Sequence, residues 1–161
     1  MCDVCDGDLL SEDRDSFIYK TDRLNGELKM VNLSTGMKSF IILRRLLQNG
    51  NIDENGIIIL DEPEIHLHPE WQLKFAEIIV LIQKEFNTNI LLNTHSPYFL
   101  NAIEVYSEKY AIEKKCNYYL ANEEHGITSI VDVTKETEKI YAKLAKPLQE
   151  LENIEYGNAE V

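Results

Sequence analysis

Two adjacent acids, Asp61 and Glu62, stand directly after an aliphatic run, residues 57–60, and are followed by Pro63. Three of the four residues in that run are β-branched, which is typical of a strand buried on both faces of a parallel sheet. Functional groups collect at the carboxyl ends of such strands. Two carboxylates at one strand end are costly unless a cation shares the site. The pair therefore predicts a site for Mg²⁺ together with a polyphosphate.

A second apolar run, residues 89–92, leads to His95, and Ser96 and Pro97 follow as N-cap and first residue of a helix. A helix is predicted between the two runs, from Pro69 to about Phe86. This order of strand, helix and strand predicts a right-handed crossover with parallel strands. If the strands are neighbours, His95 projects at the same sheet edge as Glu62.

A third segment opens with Ser34, a good N-cap for a helix that is predicted to run to about Gln48. Gly36 in its first turn costs helix stability, which makes sense if something approaches the backbone closely. The free N–H groups of a helix N-terminus suit an anion such as a terminal phosphate, and Lys38 adds a full positive charge. For this segment by itself, an ordinary capped helix is the alternative.

Together and in this order, the three segments resemble those of ABC-type ATPases over residues 17–135. Residues 33–38 stand in the place of the signature sequence, residues 57–62 in that of Walker B, and residues 94–97 in that of the switch histidine. The run from Asp61 to Pro69 is similar to the AAA-type, RecF/OLD-like branch. His68 stands where transporter subunits carry an aspartate.

This resemblance implies a role for each residue. Asp61 would join the Mg²⁺ shell, Glu62 would polarise the attacking water, and His95 would hydrogen-bond the γ-phosphate of ATP. In the family, two modules face head to tail, so that the signature of one closes on the ATP held by the other. The residues implied to contact nucleotide are Ser34, Gly36, Lys38 and His68.

One part of that family's machinery is missing from the sequence, which contains no Gly-x-x-x-x-Gly-Lys-Ser/Thr motif and no Gly-Lys pair. That loop wraps the β- and γ-phosphates. The chain is therefore expected to be the C-terminal half of an ATPase module, as a fragment, a truncated gene product or one piece of a split enzyme. A homodimer or partner chain would supply the loop, and the chain alone would bind ATP weakly and hydrolyse it negligibly.

Two other functions are open at this stage. The first is a regulatory or dimerisation module that presents its signature segment without hydrolysing ATP. The second is a metal-dependent phosphoesterase, because two histidines spaced i, i+2 near acids could ligate zinc or manganese. The candidate ligands of that metal site are Asp61, Glu64, His66, His68 and His95.

Composition narrows the class of protein further. The chain has 161 residues, enough for one domain, and a net charge of -12 without a basic cluster, so it is a poor binder of nucleic acid or anionic lipid by itself. A DNA or nuclease partner would act through regions outside this chain.

Cys2, Cys5 and Cys116 are too few for a disulfide framework and predict reduced thiols in the cytoplasm. No apolar run reaches the length of a membrane span.

The predicted fold class is α/β, a parallel-sheet core of an ABC-ATPase-like P-loop NTPase half-domain, with flanking helices and a C-terminal β-hairpin plus helix. We expect a flexible acidic lead-in over residues 1–16, the half-domain over 17–151 and a frayed tail over 152–161.

Asn25-Gly26 predicts a hairpin whose strands are residues 17–20 and 28–31. A second hairpin is predicted from residues 116–121 and 126–133. Thr134 is expected to cap the last helix, and Pro147 to kink it or end its regular part.

Overall fold

Four α-helices and seven strands make up the regular structure of the computed structural model, which describes residues 7–13, 16–21, 27–124 and 126–157. Short 3₁₀ turns at Met30–Asn32 and Glu113–Lys115 stand between the larger elements. None of the helices in these ranges combines the length and apolarity that crossing a membrane requires. The helices are α1 (Thr35–Gln48), α2 (Pro69–Phe86), α3 (Pro97–Lys109) and α4 (Glu138–Gly157).

The described strands form three small sheets. An antiparallel sheet at the start of the chain has the order β1-β2-β3, a parallel pair joins β4 to β5, and an antiparallel hairpin joins β6 to β7. The strands are β1 (Asp8–Asp13), β2 (Ser16–Lys20), β3 (Glu27–Lys29), β4 (Ile57–Asp61), β5 (Asn89–Asn93), β6 (Tyr119–Glu124) and β7 (Ile127–Asp132).

The unit β4–α2–β5 confirms the predicted parallel pairing of two neighbouring strands joined through a helix. Asp61 pairs with Asn93 at the carboxyl end of the ladder. Pro69 begins α2 because its fixed backbone angle suits the first helical position, and Asn87 ends the helix in the left-handed conformation with a φ of 49°. The two strands therefore deliver the loops that follow them, Glu62 onward and Thr94 onward, to one edge of the sheet.

The hydrophobic core lies on one face of this parallel pair. Phe40 of α1 meets Trp71 and Phe75 of α2 edge to face, with ring centroids 5.5 Å and 4.9 Å apart. Phe75 in turn contacts Phe99 of α3, with centroids 6.4 Å apart. The inward residues of the two strands pack against this cluster and are Ile58, Leu60, Ile90 and Leu92.

The prediction that the aliphatic strand is buried on both faces is wrong. Ile57 is 76% exposed, Ile59 69% and Leu91 of the neighbouring strand 63%. The physical reason is that α1, α2 and α3 contribute their core residues to one side of the sheet. Within the described ranges, nothing covers the other side, so an apolar surface remains there; we call Ile57, Ile59 and Leu91 the outer face.

The N-terminal sheet starts earlier than the sequence suggested. Asp8–Asp13, placed in a flexible lead-in, form β1 and pair with β2. The strand is anchored because the N–H of Gly7 donates to the hydroxyl of buried Tyr19 at 2.9 Å. The pairing of residues 17–20 with a returning strand is confirmed, but that strand is Glu27–Lys29 and gives way to the 3₁₀ turn. The Asn25-Gly26 turn and residues 1–6 lie outside the described residues.

The predicted C-terminal hairpin is confirmed as β6 and β7, with His125 outside the described residues. Thr134 does not cap the last helix; its hydroxyl accepts a hydrogen bond from the N–H of Tyr118 at 2.9 Å, and α4 begins at Glu138. The helix continues through Pro147 to Gly157, past the expected fraying point at residue 152. A proline inside a helix removes one backbone hydrogen bond, and this largely exposed helix accommodates the loss.

Candidate functional site

Asp61 ends β4 with its side chain exposed at the carboxyl edge of the sheet. Asn93, its partner in the ladder, donates from Nδ2 to Asp61 Oδ1 at 2.8 Å. The amide fixes one carboxylate oxygen and so orients the group. Sequence reasoning did not identify Asn93. A polar residue at the carboxyl end of an aliphatic strand, two positions before a candidate histidine, was the signal that could have found it.

Glu62 leaves the strand through a strained backbone conformation, with a φ of 41°. Its N–H donates to the carbonyl of Asn93 at 3.0 Å, which ties the turn to the end of β5. A left-handed conformation costs a residue with a Cβ about 1–2 kcal/mol, and such strain clusters at functional sites. The turn directs the carboxylate toward His95, whose Nε2 lies 3.4 Å from Glu62 Oε1. The sequence-based prediction that these two side chains share one edge is confirmed.

The N-terminus of α1 lies beside the loop that follows β4. Ser34 caps the helix as predicted, since its Oγ accepts from the N–H of Met37 at 3.3 Å, and its side chain is exposed. Gly36 is buried, and a Cβ there would lie 2.7 Å from the His66 carbonyl oxygen. The close approach inferred from the glycine is therefore made by the chain's own backbone. Lys38 donates from Nζ to the carbonyl of Val31 at 3.2 Å.

A shallow pocket of about 200 Å³ joins three of the four predicted nucleotide-contacting residues. Ser34, Gly36 and His68 all line it, and Trp71 of α2 forms part of its wall. Lys38 is not among the lining residues. The signature-like turn and the loop after β4 thus form one continuous surface.

Two polar pairs connect the segment after β4 to the residues on either side of His95. The hydroxyl of Thr94 donates to Oε1 of Glu64, which is only 4% exposed. The hydroxyl of Ser96 donates to Oε1 of Gln72 at 2.8 Å. Neither pair was identified from the sequence. A signal for them was present, because polar residues flank a histidine already singled out.

The alternative metal centre is not assembled. No group of three or more His, Cys, Asp or Glu side chains that could hold a metal ion occurs in the described ranges. His66 and His68 are exposed on the loop, whereas Glu64 is buried against Thr94. The two histidines therefore face solvent while the Glu64 carboxyl is buried, so they do not converge on one metal position. This argues against a transition-metal phosphoesterase.

A larger hollow of about 420 Å³ lies among α2, α3 and α4. Leu73, Tyr98 and Val105 give it a mostly apolar wall, and none of the candidate site residues lines it. The hollow is large but contains none of the predicted catalytic or nucleotide-contacting residues. The candidate site therefore remains the sheet edge that holds Asp61 and Glu62.

Comparison with known proteins gives one family and several relatives. Residues 6–101 match the family model described as "AAA domain, putative AbiEii toxin, Type IV TA system". The Septu protein PtuA of Bacillus thuringiensis is 33% identical over 103 residues, 56% of this chain and 26% of that protein. The retron Ec83 probable ATPase of Escherichia coli is 37% identical over 94 residues, 52% and 17% of the two chains. The retron Vc95 probable ATPase of Vibrio cholerae is 34% identical over 127 residues, 71% and 24%.

Solved structures show the same fold. The SMC head domain with a coiled coil and joint from Pyrococcus yayanosii aligns with a TM-score of 0.65 at 13% identity, covering 91% of this chain and 27% of that one. A structure from work on ATP-driven dimerisation and DNA-stimulated activation of SMC ATPases aligns with a TM-score of 0.59 at 13% identity, covering 86% and 80%. The chain spans about a quarter or less of the curated relatives just described.

Proposed function

The chain belongs to the family of AAA domains whose model matches residues 6–101, and we propose that it is an ATP-binding and ATP-hydrolysing module that contributes part of a composite site. Its contribution consists of the signature turn at Ser34, the Walker B acids Asp61 and Glu62, and the switch histidine His95. A second module or polypeptide supplies the phosphate-binding loop.

The observation that carries this proposal is the 3.4 Å approach of His95 Nε2 to Glu62 Oε1. The two residues follow adjacent parallel strands at the carboxyl edge, where ligands bind in open α/β sheets. Phosphoryl transfer depends mostly on positioning and on stabilising charge. In the proposed site Glu62 accepts a hydrogen bond from the attacking water and orients it, while His95 donates to the γ-phosphate.

The residues present also fit Mg²⁺. The ion is bound in such sites by one or two carboxylates, with waters and phosphate oxygens completing its shell. Asp61 offers an exposed carboxylate whose orientation Asn93 fixes through Oδ1. Bound together with ATP, Mg²⁺ would neutralise charge on the polyphosphate.

The outer face supports the need for a partner. A parallel sheet is usually covered on both sides, yet Ile57 and Ile59 are largely exposed in this chain. The sequence lacks a phosphate-binding loop, and its alignments with the curated relatives cover only about a quarter or less of those proteins. In the proposed assembly the missing half covers this face. Ser34 remains exposed on another surface, where it contacts the nucleotide of a second, head-to-tail module.

Substitution of Glu62 tests the function. The chain is combined with the polypeptide that carries the phosphate-binding loop, and ATP retention and phosphate release are measured in parallel. Glu62→Gln is expected to retain ATP while turnover falls by about 10²- to 10⁴-fold, because the group that orients the water is lost. Glu54→Gln, which changes an exposed acid in the loop before β4, is the matched control and should leave both quantities unchanged.

Two results would contradict the proposal. Unchanged turnover in Glu62→Gln removes this residue from the chemistry. ATP-driven association without any turnover in the unsubstituted assembly assigns the chain to a non-hydrolysing regulatory module.

A further inference from the structure

We propose that Glu64 and Gln72 are positioning residues, which hold His95 by anchoring its two neighbours in the chain, Thr94 and Ser96. The inference rests on the proposed ATPase function, because it assigns these residues a part in orienting the switch histidine. In the part of the chain that the structure describes, no hydrogen bond or ion pair joins either residue to His95. Their effect passes through the backbone on both sides of it.

The first anchor is the buried carboxyl of Glu64. It accepts a hydrogen bond from the Thr94 hydroxyl, and the same hydroxyl oxygen accepts from the N–H of Ser96 at 3.0 Å. The Thr94 hydroxyl thus bonds to Glu64 as a donor and to Ser96 as an acceptor. His95 lies between Thr94 and Ser96 in the chain, so this pair of bonds restrains the backbone on both sides of it. Because Glu64 is 4% exposed, solvent does not compete for this contact.

The second anchor is Gln72, which lies in the first turn of α2. Its Nε2 donates to the carbonyl of Leu67 at 3.1 Å, and its Oε1 accepts from the hydroxyl of Ser96 at 2.8 Å. Ser96 also caps α3, because its Oγ accepts from the N–H of Phe99 at 3.2 Å. Ser96 therefore occupies a fixed point between two helices.

His95 needs such anchors because its own contacts are weak. Its side chain is 74% exposed, and its one polar contact within the described ranges is Glu62 Oε1 at 3.4 Å. That distance is longer than the usual 2.7–2.9 Å, roughly, of a charge-assisted hydrogen bond. An exposed side chain retains rotamer freedom, so its position must be determined mainly by the backbone that carries it.

Both anchors come from the segment that also carries Glu62. The β4–β5 ladder ends at the pair Asp61 and Asn93, and the bond from the Glu62 N–H to the Asn93 carbonyl is the last backbone contact there, so strand pairing does not reach His95. The contacts of Glu64 and Gln72 extend the connection between the two strands beyond that point. They therefore set the separation of Glu62 and His95, the quantity on which catalysis by positioning depends.

The chemistry of Glu64 also favours a specific task. Its Oε2 is buried and accepts no hydrogen bond from a described residue. Burying a carboxyl with part of its hydrogen-bonding capacity unused is costly. An apolar side chain would fill the same space without that cost, but it could not hold the Thr94 hydroxyl.

Two substitutions at Thr94 separate positioning from simple structure, measured in the complete ATPase assembly. Thr94→Val keeps the shape and removes the hydroxyl, and we expect kcat to fall by about 10- to 100-fold with KM for ATP within about twofold. Thr94→Ser keeps the hydroxyl and should restore kcat to within about twofold of the unsubstituted protein. Equal kcat values for the two variants would overturn the inference.

The same substitution in a His95→Ala background asks whether the effect passes through the histidine. If it does, Thr94→Val lowers kcat no further once the imidazole is gone, because residues acting as a unit are not additive. An equal fold-loss in both backgrounds means that the hydroxyl acts elsewhere and contradicts the proposal.

A spectroscopic readout keeps the inference testable apart from turnover. In this chain alone, the imidazole Cε1–H resonance of His95 is expected to be single in Thr94→Ser and broadened or doubled in Thr94→Val. The resonances of His66 and His68 serve as internal references. If the His95 signal is identical in both variants, the anchors do not position it. If the signals differ but the complete assembly lacks turnover, the positioning is supported and the proposed ATPase function fails.

Discussion

A Cβ atom at Gly36 would lie 2.7 Å from the carbonyl oxygen of His66 and 2.7 Å from Leu67 Cδ2. Real Cβ atoms essentially never come that close to another heavy atom. The signature-like turn and the loop after the acid pair are therefore in direct backbone contact, and glycine is required there for a reason internal to this chain. Neither the turn at Gly36 nor the loop at His66 could move toward the other without a steric clash.

Gly36→Ala should destabilise the chain by about 1–2 kcal/mol, because overpacking against backbone exceeds the gain in helix propensity. Urea unfolding measures the difference. Thr35→Ala, at the neighbouring exposed position of the same first turn, is the control and should change stability by less than about 0.5 kcal/mol. Equal stabilities for the two variants would show that the loop at His66 moves to accommodate the added methyl group at little cost.

Ser34→Asp separates the capping role of this residue from its proposed contact with nucleotide. Aspartate caps a helix about as well as serine, so the free energy of unfolding should stay within about 0.5 kcal/mol. Ser34→Ala should lose about 1 kcal/mol, since the N–H of Met37 loses its partner. The added negative charge of Ser34→Asp should nevertheless abolish ATP-driven association of modules, measured by light scattering. Normal association of this variant would remove Ser34 from the nucleotide interface.

The backbone strain at Glu62 should be measurable as a difference in stability between two substitutions. Because its φ is 41°, Glu62→Gly should be more stable than Glu62→Ala by about 1 kcal/mol, the reverse of the order in a helix interior. Neither variant carries a side chain that can contact His95, so the comparison isolates the backbone. Thermal unfolding of the two proteins tests this, and a more stable alanine variant would mean that the turn relaxes.

The sheet should respond differently on its two faces. Ile58→Thr, on the face that packs on the core, should cost about 1–3 kcal/mol, because the substitution places a hydroxyl among apolar side chains. Ile59→Thr, on the outer face, keeps a β-branched side chain in largely exposed surroundings and should cost less than about 0.5 kcal/mol. Chemical denaturation of the isolated chain distinguishes the two. A large loss for Ile59→Thr would show that the outer face is covered in solution.

Stability should depend on acidic pH through Glu77. Hydrogen bonds from Lys109 at 2.8 Å and from Tyr110 at 2.6 Å lower the pKa of the Glu77 carboxyl below its ordinary value of 4.5. The stabilisation is therefore present above pH 4.5 and is lost as the pH falls through the lower pKa of the folded state. Glu77→Gln should lower the unfolding midpoint slightly at neutral pH, and the difference from the unsubstituted chain should disappear in acid.

The control for this pH effect is Glu85→Gln, which changes an exposed carboxyl on the same helix. It should change the midpoint little at any pH, because surface charges without such partners contribute little. The hydrogen bond to Glu77 also raises the pKa of Lys109 to about 12, so the ion pair persists throughout the mildly alkaline range. A constant difference between Glu77→Gln and the unsubstituted chain from pH 7 to pH 3 would contradict the assignment.

Local chemistry made much of this fold predictable. Ser34 and Ser96 cap helices where their side chains can reach free N–H groups, and Pro69 and Pro97 begin helices whose first N–H is unsatisfied in any case. The parallel pairing followed from the order of strand, helix and strand. These features depend on neighbours in the sequence, which is why they were visible in it.

The features that sequence reasoning missed depend on partners distant in the chain. Asn93 and Asp61 meet across a ladder, Thr94 reaches Glu64 from 30 residues away, and nothing in either local sequence specifies the partner. The exposure of Ile59 was missed for a related reason. An aliphatic run indicates that a strand can be covered on both sides, but not which other elements do so.

The parallel ladder of β4 and β5 has a consequence for handling the isolated polypeptide. Within the described ranges each strand hydrogen-bonds a single neighbour, so one row of amide and carbonyl groups on each strand is left open beside bare isoleucine and leucine. Rows of this kind are templates for strands from other molecules. Turbidity that grows with protein concentration in a purified sample is the expected sign of such association.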